Sequence, residues 1–139
     1  MSQQNDPKKR AWAGYTFEGI CLKHIQQIKN ALGIGMVETF HGPWYYSPPK
    51  NSPDPGAQID LLIDRKDASV NLCEMKFSES EFTVDADYAK KLRQKKDVFK
   101  NVAKTKKTIF ITMITTFGII ENSHSRDIIS NELTMECLF

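Results

Sequence analysis

"QIDLLIDRKDASVNLCEMKF", Gln58 to Phe77, reads as two short apolar runs joined by the charged turn "DRKDAS". Centring that turn on Asp67 sets Leu62 opposite Leu72, Asp60 opposite Glu74 and Gln58 opposite Lys76. Successive strand side chains point to opposite faces, so these six share one face. Ile59, Leu61, Ile63, Cys73, Met75 and Phe77 share the other, a nearly clean apolar set. A slip of one residue would push Asp60 into the core, so the alternation itself specifies the register. The expectation is a hairpin with one face on the core and a charged face in water.

That charged face raises a physical problem. Side chains directly opposite each other lie roughly 4.5–5.5 Å apart at Cβ, and like charges there repel. Asp60 and Glu74 therefore need something between them: a shared proton, the Lys76 ammonium, or a hard divalent cation that takes oxygen ligands. A solvated cluster of acids and lysine is the simpler alternative.

The rest of the chain sets the context. With 139 residues, 40% of them hydrophobic and 26% charged, the composition is that of an ordinary globular domain. No repeat is visible. The longest apolar stretch, Ile109 to Ile120, is short and interrupted by threonines, so no membrane span is expected. Cys21, Cys73 and Cys137 are widely spaced and form no CxxC pair, which suggests buried thiols in a reduced, cytoplasmic setting. "MSQQNDPKKR" is polar, and residues 1–11 are expected to be a flexible lead into a single domain over 12–139. The net charge of +2 conceals a strong asymmetry. Nine of the nineteen Lys and Arg fall between Lys90 and Lys107, where Asp97 is the only acid. Such a segment suits a polyanion.

Periodicity supplies the elements. Tyr15 to Leu32 predicts a largely buried helix that stops at "GIG", Gly33 to Gly35. Met36 to Trp44 predicts a strand running into the proline loop Pro43 to Gly56. Ala57–Ile63 and Val70–Phe77 are the hairpin strands. Asp85 to Ala103 predicts a helix with Tyr88, Leu92, Phe99 and Val102 as its apolar stripe. Thr108 to Thr115, "TIFITMIT", predicts a central strand, and a last strand is expected near Asp127 to Thr134. The order helix, three strands, helix, strand implies an α/β domain around a mixed sheet.

An Asp followed by Glu-x-Lys on the next strand, flanked by helices in this order, resembles the PD-(D/E)XK nuclease superfamily. The resemblance implies a restriction-endonuclease-like core. It implies Asp60 and Glu74 as ligands of Mg²⁺, with Mn²⁺ as substitute and the Met75 carbonyl as a further oxygen. Lys76 would position or activate the attacking water, and Glu18 on the first helix would complete the metal site. The Pro-Asp of the family name is missing, because Ile59 precedes Asp60; Asp54 follows Pro53 but lies in the proline loop. More closely, "WAGYTFEGICLKHI", "GAQIDLLIDR", "NLCEMKFS" and the final "LF" resemble the nuclease-like C-terminal domain of archaeal-type AAA ATPases, over Trp12 to Phe139. No GxxxxGK[ST] phosphate loop occurs in these residues.

The resulting expectation is a Mg²⁺-dependent nuclease domain acting on DNA, ahead of RNA, and associated with an AAA ATPase. The alternative is a catalytically silent nucleic-acid-binding or regulatory module; homodimerisation is left open. Gln58, opposite Lys76, is a candidate substrate contact. Lys95 falls in the apolar stripe of its helix, and its ammonium either snorkels to water or turns inward to a phosphate. Arg93, Lys96, Lys100, Lys104 and Lys107 form an outer stripe suited to backbone phosphates. His24 is expected to be a core histidine, and His41 and His124 have no patterned partners.

Overall fold

The computed structural model describes residues 6–139. The first helix, α1, spans Pro7–Lys23, eight residues earlier than its apolar pattern suggests. The Asp6 carboxylate caps it by accepting the Lys8 N–H at 2.9 Å, and Pro7 occupies the first helical position, where a missing N–H costs nothing. Residues 7–11, expected to be flexible, are therefore helical behind the Asp6 cap, while residues 1–5 lie outside the described residues. The capping signal is polar, and hydrophobic periodicity passes over it.

The expected single helix to Leu32 breaks at His24, whose ψ of 36° ends α1. The His24 Nδ1 sits 2.7 Å from the Ile20 carbonyl, and the ring lies half-buried against Phe139. A second helix, α2, covers Ile25–Ala31. The chain then turns through Gly33 at φ +76°, a left-handed conformation that glycine adopts without a Cβ penalty.

Strand β1 (Thr39–Tyr46) carries on through Pro43, which the sequence places in a loop. It lies at the sheet edge, where a residue without N–H is tolerated. Strands β2 (Ala57–Arg65) and β3 (Ser69–Lys76) form the hairpin, and its pairs Leu61–Cys73 through Asp64–Val70 have the expected register. After a two-residue strand β4 (Phe82–Thr83), helix α3 (Ala86–Ala103) crosses back to β5 (Thr108–Thr115), which pairs parallel with β3. Asp85 caps α3 by accepting the Tyr88 N–H at 2.8 Å. Three short elements close the chain: β6 (Ile119–Ile120), α4 (Ser123–Ile128) and β7 (Asn131–Thr134), followed by a 3₁₀ turn over Met135–Leu138. The sequence reading missed α4, which is built on a reciprocal capping box between Asn122 and Ser125.

The result is an α/β architecture around a mixed five-stranded sheet of order β1-β2-β3-β5-β7. A minor parallel pair, β4 and β6, stands beside it. Both faces of the sheet are covered. Leu61, Ile63, Cys73, Met75 and Ile114 pack under Phe17, Cys21 and Ile28 of α1 and α2. Leu72, Val70, Ile111 and Met113 pack under Leu92 and Phe99 of α3. The charged hairpin face is thus roofed by α3 rather than bathed in water. Within the α3 stripe, Val98 is buried and Val102 exposed, exchanging the places the pattern implies.

The Cys21 and Cys73 thiols are buried and free, Cys137 is half-buried, and burial pushes Cys21 up to about 12. Among the described residues no helix is long and apolar enough to cross a membrane.

Candidate active site

The antiparallel ladder between β2 and β3 stops at Leu61–Cys73. One residue further on, backbone pairing gives way to side chains. The Asp60 N–H donates to the Glu74 Oε2 at 3.2 Å, and the Met75 N–H donates to the Asp60 Oδ2 at 2.9 Å. Each carboxylate thus occupies an amide of the opposite strand, and both satisfy backbone donors that the ladder leaves open.

A β-bulge causes the change. Along β1 the pairs Gly42–Leu62 and Trp44–Ile59 bracket one residue on β1, Pro43, against two on β2, Asp60 and Leu61. An extra residue in one strand bends it and re-aims the side chains around it. Ile59 crosses to the α3 side, among Leu72 and Leu92, instead of joining Leu61 and Ile63. Simple alternation therefore fails at Asp60. For the same reason Gln58 does not face Lys76; it is exposed and pairs with Tyr45 of β1.

Between the two acids the sequence offers a proton, Lys76 or a metal. The structure sets a different cation against Glu74. Lys95 turns inward from α3, and its Nζ forms an ion pair with the Glu74 Oε1. Glu74 is 3% exposed, so a partner that neutralises its charge is needed. Burial, followed by the Asp60 charge, still raises the Glu74 pKa, with Lys95 opposing both. Lys76 lies elsewhere. Its ammonium stands 5.3 Å from the centre of the Tyr88 ring, and its charge lowers the pKa of Glu18. Burial and then Asp60 outweigh that effect, leaving the Glu18 pKa raised.

A groove of about 470 Å³ opens beside Glu18 and Lys76, lined also by Arg10 and Gly14 of α1 and by Met75 and Ser78 at the end of β3. Asp60, Glu74, Lys76, Lys95 and Glu18 are thus assembled at one end of the sheet. Tyr88 joins them, its hydroxyl 3.8 Å from the Met113 sulfur, although the sequence reads it as mere stripe. Its position seven residues before Lys95 on one helical face is the signal that pairs them. Arg10 carries no such signal, since its segment reads as flexible.

The outer stripe divides. Arg93, Lys100 and Lys104 are exposed along α3 and Lys96 is half-buried. Lys107 is engaged at the far end of the sheet, with its Nζ 2.6 Å from the Asp64 Oδ1 and 2.7 Å from the Arg65 carbonyl. Ser69 pairs with Thr108 and Lys76 with Thr115, so about 23 Å of strand separates the two ends. Lys107 is therefore a partner of the hairpin turn, apart from the groove. Beside it an internal polar chain, also missed by the sequence reading, links Arg65, Asn71, Thr112 and Asn131 by hydrogen bonds of 3.0–3.3 Å.

Among the described residues no three His, Cys, Asp or Glu stand close enough together to hold a metal. Mg²⁺ does not require that many. It keeps several waters and is commonly held by one or two carboxylates together with substrate phosphate oxygens. Asp60 and Glu74 are two carboxylates of that kind, with Asp60 Oδ1 outside the hydrogen bonds to the Asp60 and Met75 amides and to Lys95 that engage their other oxygens.

The clasp makes separable demands on Asp60. Asp60→Ala leaves the Met75 N–H without its acceptor and should cost about 1–3 kcal/mol. Asp60→Asn keeps an acceptor oxygen and removes the charge that opposes Glu74. In chelator it should melt at or above the wild-type temperature. Equal losses in both variants would mean that the Asp60 charge itself holds the strands.

Comparison with protein-family models, with curated proteins and with solved structures finds no match to this chain.

Proposed function

We propose that this chain is a metal-dependent phosphodiesterase of the PD-(D/E)XK nuclease type, acting on DNA ahead of RNA. The observation that carries the reading is the carboxylate clasp of Asp60 and Glu74, with Lys76, Lys95 and Glu18 gathered at its open end. The element order α1 to β5 around a mixed sheet is compatible with a restriction-endonuclease-like core.

Asp60 and Glu74 would hold Mg²⁺ or Mn²⁺, with the Met75 carbonyl and Glu18 as further oxygens. Such an ion lowers the pKa of a bound water and neutralises charge on a phosphate. Lys95 neutralises Glu74 in the absence of an ion and, once released, becomes a cation beside the phosphate. Lys76 stabilises negative charge developing on the phosphoryl oxygens. Tyr88 keeps its proton, because burial and then the charges of Glu74 and Asp60 raise its pKa; it flanks the Lys76 ammonium with a ring face. Arg93, Lys96, Lys100 and Lys104 lead away along α3 and suit contacts to backbone phosphates.

A second reading has its own support. Lys95 and two amides already satisfy both carboxylates, so the same clasp could serve a silent nucleic-acid-binding module. Association with an AAA ATPase rests on sequence resemblance alone. Incubating plasmid and single-stranded DNA with the protein and Mn²⁺ or Mg²⁺ separates the two readings. Cleavage that chelator stops supports the enzyme, and metal-independent binding without cleavage supports the module.

A further inference from the structure

Beside the active-site groove lies a second hollow of about 620 Å³, lined by Lys8, Arg10, Trp12 and Ala13 of α1 and by Phe77 and Glu79. Lys9 also contributes to its wall. Arg10, Phe77 and Glu79 border both hollows, so the two adjoin. Among the described residues Trp12 is 71% exposed and Phe77 41% exposed, costly for two large aromatic rings. Phe77 is held from behind by Phe17, with ring centroids 6.3 Å apart, so its outer face is presented on a rigid backing. Lys8 and Arg10 bring two bases to the wall, where Glu79 is the acid among the described residues.

We propose that this hollow binds single-stranded nucleic acid, stacking unpaired bases on Trp12 and Phe77 and delivering the strand to the carboxylate clasp. Aromatic faces interleaved with cations are the chemistry that holds a single strand without reading its sequence. A duplex hides its base faces in the stack and offers the rings nothing. An acidic peptide would use the cations but not the aromatic faces. The inference names the substrate form for the nuclease reading and rests on that reading for its biological sense. It also implies that α1 carries a strand entry path, a role invisible while residues 1–11 read as a flexible lead.

The test uses the whole protein in chelator, so that binding is measured without chemistry. The probes are a labelled oligothymidylate, an abasic oligomer of equal length, a duplex and polyglutamate. Wild type should bind the oligothymidylate most tightly. Trp12→Ala, at an exposed helical position, should weaken that binding about tenfold and leave the abasic oligomer unchanged. Lys8→Ala or Arg10→Ala should weaken both oligomers, each lowering the log–log salt slope by about 0.7. Equal affinity for the base-bearing and abasic strands, equal affinity for the duplex or polyglutamate, or no effect of Trp12→Ala overturns the proposal. Base-dependent binding without any Lys76-dependent cleavage would keep this groove and remove the nuclease reading. Lys76-dependent cleavage without base-dependent binding would do the reverse.

Discussion

Lys76→Ala should reduce metal-dependent cleavage by about 100-fold or more, the scale seen when one preorganised donor to a developing oxyanion is removed. The loss should appear in turnover more than in binding, because the Lys76 ammonium is only half-buried and the α3 stripe still meets the phosphates. The fold should survive. Lys76 closes β3, forms no ion pair with Asp60 or Glu74, and touches the Tyr88 ring through a cation–π contact. Circular dichroism and melting temperature therefore serve as controls. Undiminished cleavage by Lys76→Ala would place the activity in another site or another protein.

The second large effect concerns stability. Lys95→Met removes the cation that neutralises buried Glu74. Because the Lys95 side chain is 29% exposed, the expected cost at pH 7 is about 2–3 kcal/mol, below the range for a fully buried pair. The pH dependence has a definite sign. The Glu74 pKa lies above its ordinary 4.5 in the folded protein, so the folded state holds the proton more tightly than the unfolded state. Stability linked to this group is fully present below 4.5 and is lost as pH rises through the raised value. Removing Lys95 raises that value further. The penalty of Lys95→Met should thus shrink toward pH 4, where Glu74 is protonated in either background. Adding Glu74→Gln to Lys95→Met should recover most of the loss at pH 7. A penalty that is the same at both pH values would show that Lys95 acts only through packing of its stem.

Several parts of this arrangement were legible in the sequence, and the failures have identifiable causes. The hairpin register over Leu61–Cys73 to Asp64–Val70 followed from alternation, because a slip would have exposed Leu61 and Ile63. Helix α3 followed from its stripe, and the Asp85 cap emerged only with the structure. The bulge at Asp60 was not legible, since one residue inserted opposite Pro43 leaves the local alternation of "QIDLLID" intact. The pairing of Lys95 with Glu74 was not legible for a related reason. Lys76 is adjacent in the hairpin, whereas Lys95 reaches Glu74 through the packing of α3 on the sheet, a tertiary contact. The first turns of α1 were lost because their signal is a polar cap and a proline rather than an apolar stripe. Lys107 looked like part of a basic run, but the start of β5 carries it to Asp64.

The central claim is that Asp60 and Glu74 together form a divalent-cation site, and calorimetric titration with Mn²⁺ in the absence of nucleic acid tests it most directly. Wild type should bind the ion. Asp60→Asn, which preserves the acceptor for the Met75 N–H, should bind it more weakly by about tenfold or more, as expected for loss of a charged ligand. Equal binding by the two proteins, or no binding by wild type, would contradict the claim and leave the clasp as a structural closure of the two strands.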